Sequence, residues 1–271
     1  MKTLNNHIIL YDAECPICTR YTKALTNRGM LEQGGWASYQ QMPAEVCPMV
    51  DRQRAVDEIA LVDVETGEVN YGVKSLFKVF GNSFPLLKPL FSFGPFVWVM
   101  SKAYAFFSFN RRVIIPSNTY DKGLQPTFRF GYRLAYLLLS WLAVGFILTR
   151  CAALLTTFIP LGSPYREYAI CGGQILFQGI IVSFYAPKKR WDYLGNMMTI
   201  SFAGALLLIP VVLLHHLIHW PLFFPLYFML VAGLMFLEHI RRTKLLALGW
   251  LLTITWALYR IILLLIILNL I

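Results

Sequence analysis

The spacing of apolar positions changes character part-way along the chain. Over residues 1–80 they come in short runs separated by polar and turn-forming residues. "HIILY" (7–11) and "WASYQ" (36–40) read as strands, and "VDEIALVDVETGEVNYG" as two strands joined by a tight turn at Glu65-Thr66-Gly67. A helical period runs from Cys15 to about Arg28, with Tyr21, Ala24 and Leu25 on one face, and another covers "VKSLFKVF" (73–80). The order is β-α-β followed by β-β-α, which is that of an α/β thioredoxin-like domain.

From Arg133 onward the apolar runs reach spanning length. Five are expected to be transmembrane helices, at about 133–154, 168–185, 194–218, 220–237 and 246–268. A hydrocarbon core of ~30 Å needs about 20 residues. The second run is the weakest, because Gln174 and Gln178 interrupt it. The predicted organisation is a thioredoxin-like domain over 1–118, a linker over 119–132 and an all-α, multi-span membrane domain over 133–271. Within the first domain, residues 80–109 hold ten Phe, Trp or Tyr, and Pro85, Pro89 and Pro95 break the stretch before Phe96. A helix from about Phe96 to Phe109, packed on the soluble domain and touching the membrane interface, is expected there. A re-entrant element is the alternative.

Composition supports the membrane assignment. The chain has 271 residues, of which 57% are hydrophobic, too high a share for an ordinary soluble protein of this length. The net charge of +10 lies largely at the flanks of the apolar runs: Arg129 and Arg133, Lys188 to Arg190, and Arg241, Arg242 and Lys244. Membrane topology explains that placement better than nucleic-acid binding, so the expected partner is a lipid bilayer and no nucleic acid is expected. The loops between these basic clusters carry fewer cations. That places the N-terminal domain in the cytoplasm, at an inner or plasma membrane, with the C-terminus outside. The first ten residues show no signal-peptide core, which predicts the same orientation.

Candidate chemistry centres on "YDAECPICTRY", Tyr11 to Tyr21. Cys15 and Cys18 stand where the first strand turns into the first helix. A cysteine at a helix N-terminus meets unpaired N–H groups and the positive end of the macrodipole, which favour the thiolate. Pro16 suits the first turn. Cys15 is therefore the expected nucleophile and Cys18 the resolving thiol. Asp12 is a candidate acceptor for the resolving thiol's proton, the alternative being a helix-capping aspartate. A metal site needs about four ligands. Cys47 and His7 are the only other cysteine and histidine of the N-terminal domain, so a metal is not expected, one shared between two chains being the alternative; thiol–disulfide exchange itself requires no cofactor.

These residues resemble a known family. "DAECPIC", Asp12 to Cys18, is similar to the Asp-x-x-Cys-x-x-Cys signature of the DCC family of thiol–disulfide oxidoreductases. The resemblance extends through "YGVKSL" (71–76) to "YAFFSFNRRVI" (104–114) and covers roughly residues 5–118. It implies a thioredoxin-like fold and dithiol chemistry, with Asp12, Cys15 and Cys18 at the matching positions, and names no substrate. Thiol–disulfide exchange itself needs a partner dithiol or disulfide, carried by a protein or by glutathione. One departure from thioredoxins proper is that "RAVDEIA" (54–60) has no proline to hold a peptide substrate.

Other residues admit either a chemical or a plainer role. Cys47, Cys151 and Cys171 are possible secondary redox thiols, or packed cysteines. Cys151 and Cys171 fall near a shared outer loop and would be placed to pair. Asn110, Arg111 and Arg112 suit phosphate or lipid headgroups, or simply form a basic membrane-facing stretch. Arg260 lies mid-way in the last apolar run, where an arginine is costly and needs a partner, with Gln174, Gln178 and Glu238 as candidates. These intramembrane groups support a rival reading, a transporter or lipid-handling protein whose dithiol domain is a redox sensor or scaffold. His215, His216 and His219 suit a metal or quinone headgroup, or a wet interface.

Overall fold

Strand β1 (His7–Tyr11) is the axis of the N-terminal sheet. Its Ile9 and Leu10 are fully buried, one on each face, as alternation along a strand requires. The computed structural model describes residues 2–42, 47–116 and 125–268. The chain divides into two compact units, Met1–Tyr132 and Arg133–Ile271.

In the first unit, β1 leads into helix α1 (Pro16–Asn27), which returns the chain to β2 (Trp36–Ser38), parallel to β1. A short helix α2 (Arg52–Asp57) precedes β3 (Ala60–Asp63) and β4 (Val69–Tyr71). The sheet order is β2-β1-β3-β4, with β3 antiparallel to both of its neighbours. This is the thioredoxin-like arrangement expected from the sequence. The expectation omitted α2, whose six residues carry three charges and give no apolar period.

Helix α3 (Val73–Ser83) closes one side of the sheet. Its N-cap, Gly72, has φ +64°, and an added Cβ would overlap the Glu58 carboxylate. Only glycine meets both demands at no cost, which gives "YGVKSL" a physical reason. Helices α4 (Lys88–Ser92) and α5 (Gly94–Ile114) meet at a bend of 86°. α5 packs on the sheet unit. Tyr104 Oη accepts the Ile59 N–H at 3.0 Å, and Ser108 Oγ donates to the Asp57 carbonyl. Helix α5 runs about five residues past the predicted Phe109, which carries Asn110 and Arg111 into the unit.

Five helices follow, as the apolar runs predict. They are α6 (Phe130–Ala152), α7 (Arg166–Tyr185), α8 (Arg190–Leu214), α9 (Phe223–Leu245) and α10 (Leu251–Ile267). Among the described residues, α6 to α9 are each long and apolar enough to cross a membrane, and α10, with 17 residues, is shorter. The last run was expected to start near 246. Ala247 and Gly249 adopt φ +50° and +66°, and this left-handed turn delays the helix to Leu251. At 1.5 Å per residue α10 is about 25 Å long.

The glutamines that weaken the second run are turned inward. Gln174 and Gln178, four residues apart, lie on one face of α7 and are buried. Gln178 Oε1 accepts from Tyr193 Oη at 2.8 Å, and its amide nitrogen donates to Thr255 Oγ1 at 3.1 Å. Tyr193 continues to His239 Nε2 at 3.2 Å, and His239 Nδ1 reaches Thr253 Oγ1 at 3.1 Å. The chain of bonds ties α7, α8, α9 and α10 together around the apolar cluster of Leu137, Met197, Leu252 and Trp256. Buried among apolar helices, a polar side chain is costly unless it is hydrogen-bonded, and these partners supply the bonds.

Candidate redox site

The β1–α1 junction sets the geometry of the dithiol. Cys15 is the N-cap of α1, in an extended conformation, and Pro16 occupies the first turn. An N-cap side chain accepts a hydrogen bond from an otherwise orphaned N–H. Here the acceptor is a sulfur: Cys15 Sγ takes the Cys18 N–H at 3.4 Å. The thiols are free, and both residues are buried.

The two thiols are driven apart in acidity. The Cys15 thiol is pulled down to about 7, first by a hydrogen bond from the Cys18 thiol, against the opposing effect of burial. The Cys18 N–H and the Arg111 charge add to the lowering. Cys18 is pushed up, because it donates that bond and because it is buried. The outcome is one thiolate-prone sulfur and one that keeps its proton, the division that nucleophilic and resolving roles require.

Asp12 lies at the end of β1, and its carboxylate is fully engaged. It accepts from Arg111 Nη2 at 3.0 Å, from Gln40 Nε2 at 3.0 Å and from the Glu14 N–H at 3.1 Å. Burial alone would raise its pKa. The adjoining Arg111 and Arg112 charges and these hydrogen bonds outweigh burial and hold it below the usual carboxylate value.

Arg111 is the group the sequence reading did not place here. It is only 7% exposed, and Asn110 beside it is fully buried, so neither belongs to a membrane-facing basic stretch. Arg111 Nη1 donates to the Asp57 carbonyl at 2.9 Å and Nη2 to the Val56 carbonyl at 2.6 Å. These are terminal carbonyls of α2, which lack helical partners and carry the negative end of its dipole. One guanidinium thus joins the end of α2 to Asp12, 99 residues away in sequence. Arg112 reaches Glu14 Oε2 at 3.2 Å and Asp12 Oδ2 at 3.5 Å. The available signal was that the resemblance covers both "DAECPIC" and "YAFFSFNRRVI", which places Asp12 and Arg111 in one domain.

Asp12, Cys15, Cys18 and Arg111 line one cavity of about 260 Å³, walled mainly by Ile17, Tyr21, Ile59, Tyr104 and Phe107. Residues 9–115 match the family model of the DCC1-like thiol-disulfide oxidoreductases. The N-terminal unit belongs to that family. The match ends before the helices of the second unit. No curated protein and no solved structure matches the chain.

The remaining candidates stand elsewhere. The Cys47 side chain lies outside the described residues. Cys151, on α6, is a free thiol packed with Leu208 and Val231. Cys171, on α7, is also free and lines a cavity that contains Arg260 and Gln174. Glu238 is held by Arg241 and Arg242, and Gln174 is the group that accepts from Arg260. His215 and His216 meet edge to face. Among the described residues, no three of His, Cys, Asp and Glu gather closely enough to hold a metal.

Proposed function

We propose that the N-terminal unit catalyses thiol–disulfide exchange with a partner dithiol or disulfide, carried by a protein or by glutathione. It works from the cytoplasmic side of the membrane that holds α6 to α10, with the C-terminus outside. The Cys15 thiolate bonds to one sulfur of a partner disulfide, and the other sulfur leaves as a thiolate. Cys18 then loses its proton and bonds to Cys15 Sγ. This displaces the bound partner sulfur and leaves a Cys15–Cys18 disulfide. Two electrons pass to the partner, whose two sulfurs take up two protons. The reverse sequence oxidises a partner dithiol.

The observation that carries this reading is the geometry of the pair: Cys15 Sγ caps α1 and accepts the Cys18 N–H at 3.4 Å, and both sulfurs share a cavity with Arg111. Asp12 serves chiefly by fixing Arg111 beside the thiols. Its carboxylate already holds three donors, so accepting the Cys18 proton is the lesser of its two roles.

The test is the reduction potential of the pair in full-length protein carrying Cys47→Ser, Cys151→Ser and Cys171→Ser, by glutathione titration with mass-shift alkylation. One two-electron transition between roughly −180 and −300 mV is expected. Failure to form an intramolecular disulfide across that range overturns the proposal.

A further inference from the structure

Arg133, Arg242 and Arg260 each reach from their own helix to a neighbouring helix of the second unit, and two of them meet carboxylates. Arg133 donates to the Trp191 carbonyl at 2.6 Å and faces Asp192 at 3.4 Å. Arg242 binds Glu238 at 2.7 Å and Asn196 Oδ1 at 2.9 Å. Arg260, half-way along α10, differs. Its Nε donates to Gln174 Oε1 at 2.9 Å, its Nη2 lies 3.4 Å from Ser201 Oγ, and its charge sits 4.1 Å from the centre of the Trp256 ring. All three partners are neutral. Among the described residues no carboxylate lies within ion-pair distance of Arg260.

Arg260 borders a cavity of about 250 Å³ whose walls come from all five helices. The lining is apolar for most of its extent, with Val144, Leu148, Leu208, Phe228 and Leu264 among its residues. Arg166 and Glu167 also line it, but they pair with each other, Arg166 Nε to the Glu167 carboxylate at 2.8 Å. A cation in an apolar bundle with only neutral partners is costly. A guanidinium has five N–H donors in a fork that matches a carboxylate, and the contacts above use two of them.

We propose that this cavity binds a long-chain aliphatic carboxylate, with its head on Arg260 and its chain along the apolar walls. The charge selects one anionic head, and the small apolar volume selects one chain over the paired chains of a phospholipid. The inference does not depend on the thiol chemistry of the first unit.

The experiment uses full-length protein in nanodiscs, labelled with a photoactivatable diazirine analogue of palmitate and analysed by peptide mapping. Saturable labelling of α6, α8 or α9 is expected. Unlabelled palmitate should compete at least about tenfold better than hexadecanol, which keeps the chain and lacks the charge. Arg260→Gln should weaken labelling by at least about tenfold, with Arg260→Lys retaining part of it. Ala205→Phe, which fills the cavity from α8 and leaves Arg260 in place, should abolish labelling even if the arginine variants fail to fold. Equal competition by hexadecanol, unsaturable labelling, or full labelling of Ala205→Phe would each overturn the proposal.

Discussion

Arg111 and Arg260 are two buried arginines under opposite conditions. Arg111 has a carboxylate on one side and the carbonyl end of a helix on the other. Its charge is compensated within the fold, so it can fix geometry and bias the thiols without needing a ligand. Arg260 has an amide, a hydroxyl and an aromatic face, and it borders open space. Burial of a charge is therefore ambiguous by itself. Whether its counter-charge comes from the chain or must come from outside separates a structural arginine from a binding one.

The largest effect of substitution is expected at the dithiol. Cys15→Ser should reduce exchange with glutathione disulfide to background. Cys18→Ser should leave Cys15 able to attack and should accumulate the mixed disulfide, visible as a mass shift of one glutathione. If Cys18→Ser accumulates it and Cys15→Ser does not, the roles stand as assigned.

Next comes the compensated arginine. Arg111→Met leaves the Asp12 carboxylate buried against one cation fewer, and should destabilise the first unit by about 3–5 kcal/mol. Adding Asp12→Asn should restore part of the loss. Denaturant unfolding of the three full-length variants would show it, and additive single losses would sink the idea of a coupled pair. Asp12 titrates below the usual carboxylate value of 3.8 in the folded state. Its contribution is therefore complete above that value and is lost as the pH falls through the lower folded one.

The pH profile of Cys15 is a finer probe. With its pKa lowered to about 7, alkylation should rise with pH up to that point and level off above it. In Arg111→Met the midpoint should move upward, because a positive neighbour of the thiolate is gone. An unchanged midpoint would restrict Arg111 to a structural role.

The smallest expected effect lies in the helical unit. Tyr193→Phe deprives Gln178 Oε1 and His239 Nε2 of one shared partner, and should cost about 1 kcal/mol in thermal stability in detergent. Palmitate labelling at Arg260 should survive this change.

How far the site could be read from the chain follows from how local its causes are. Strand β1, the turn at Cys15 and the start of α1 depend on neighbouring residues, and "DAECPIC" displays them directly. The five apolar runs were equally legible, because the length and composition of each are contained in one continuous window of sequence. Helix α2 escaped notice because six polar-rich residues gain their stability from tertiary partners such as Arg111. The late start of α10 depended on two left-handed residues, only one of them glycine.

The sequence by itself determined the order of the strands and of the longer helices, the dithiol and its place at a helix head, and the apolar length of the helical unit. These are properties of short windows. Tertiary structure alone decided that Arg111 closes on Asp12 across 99 residues, that Gln174 and Gln178 face inward, and that Arg260 meets no carboxylate. A charge's partner is fixed by which surfaces pack together, and nothing in the spacing along a chain encodes that distance.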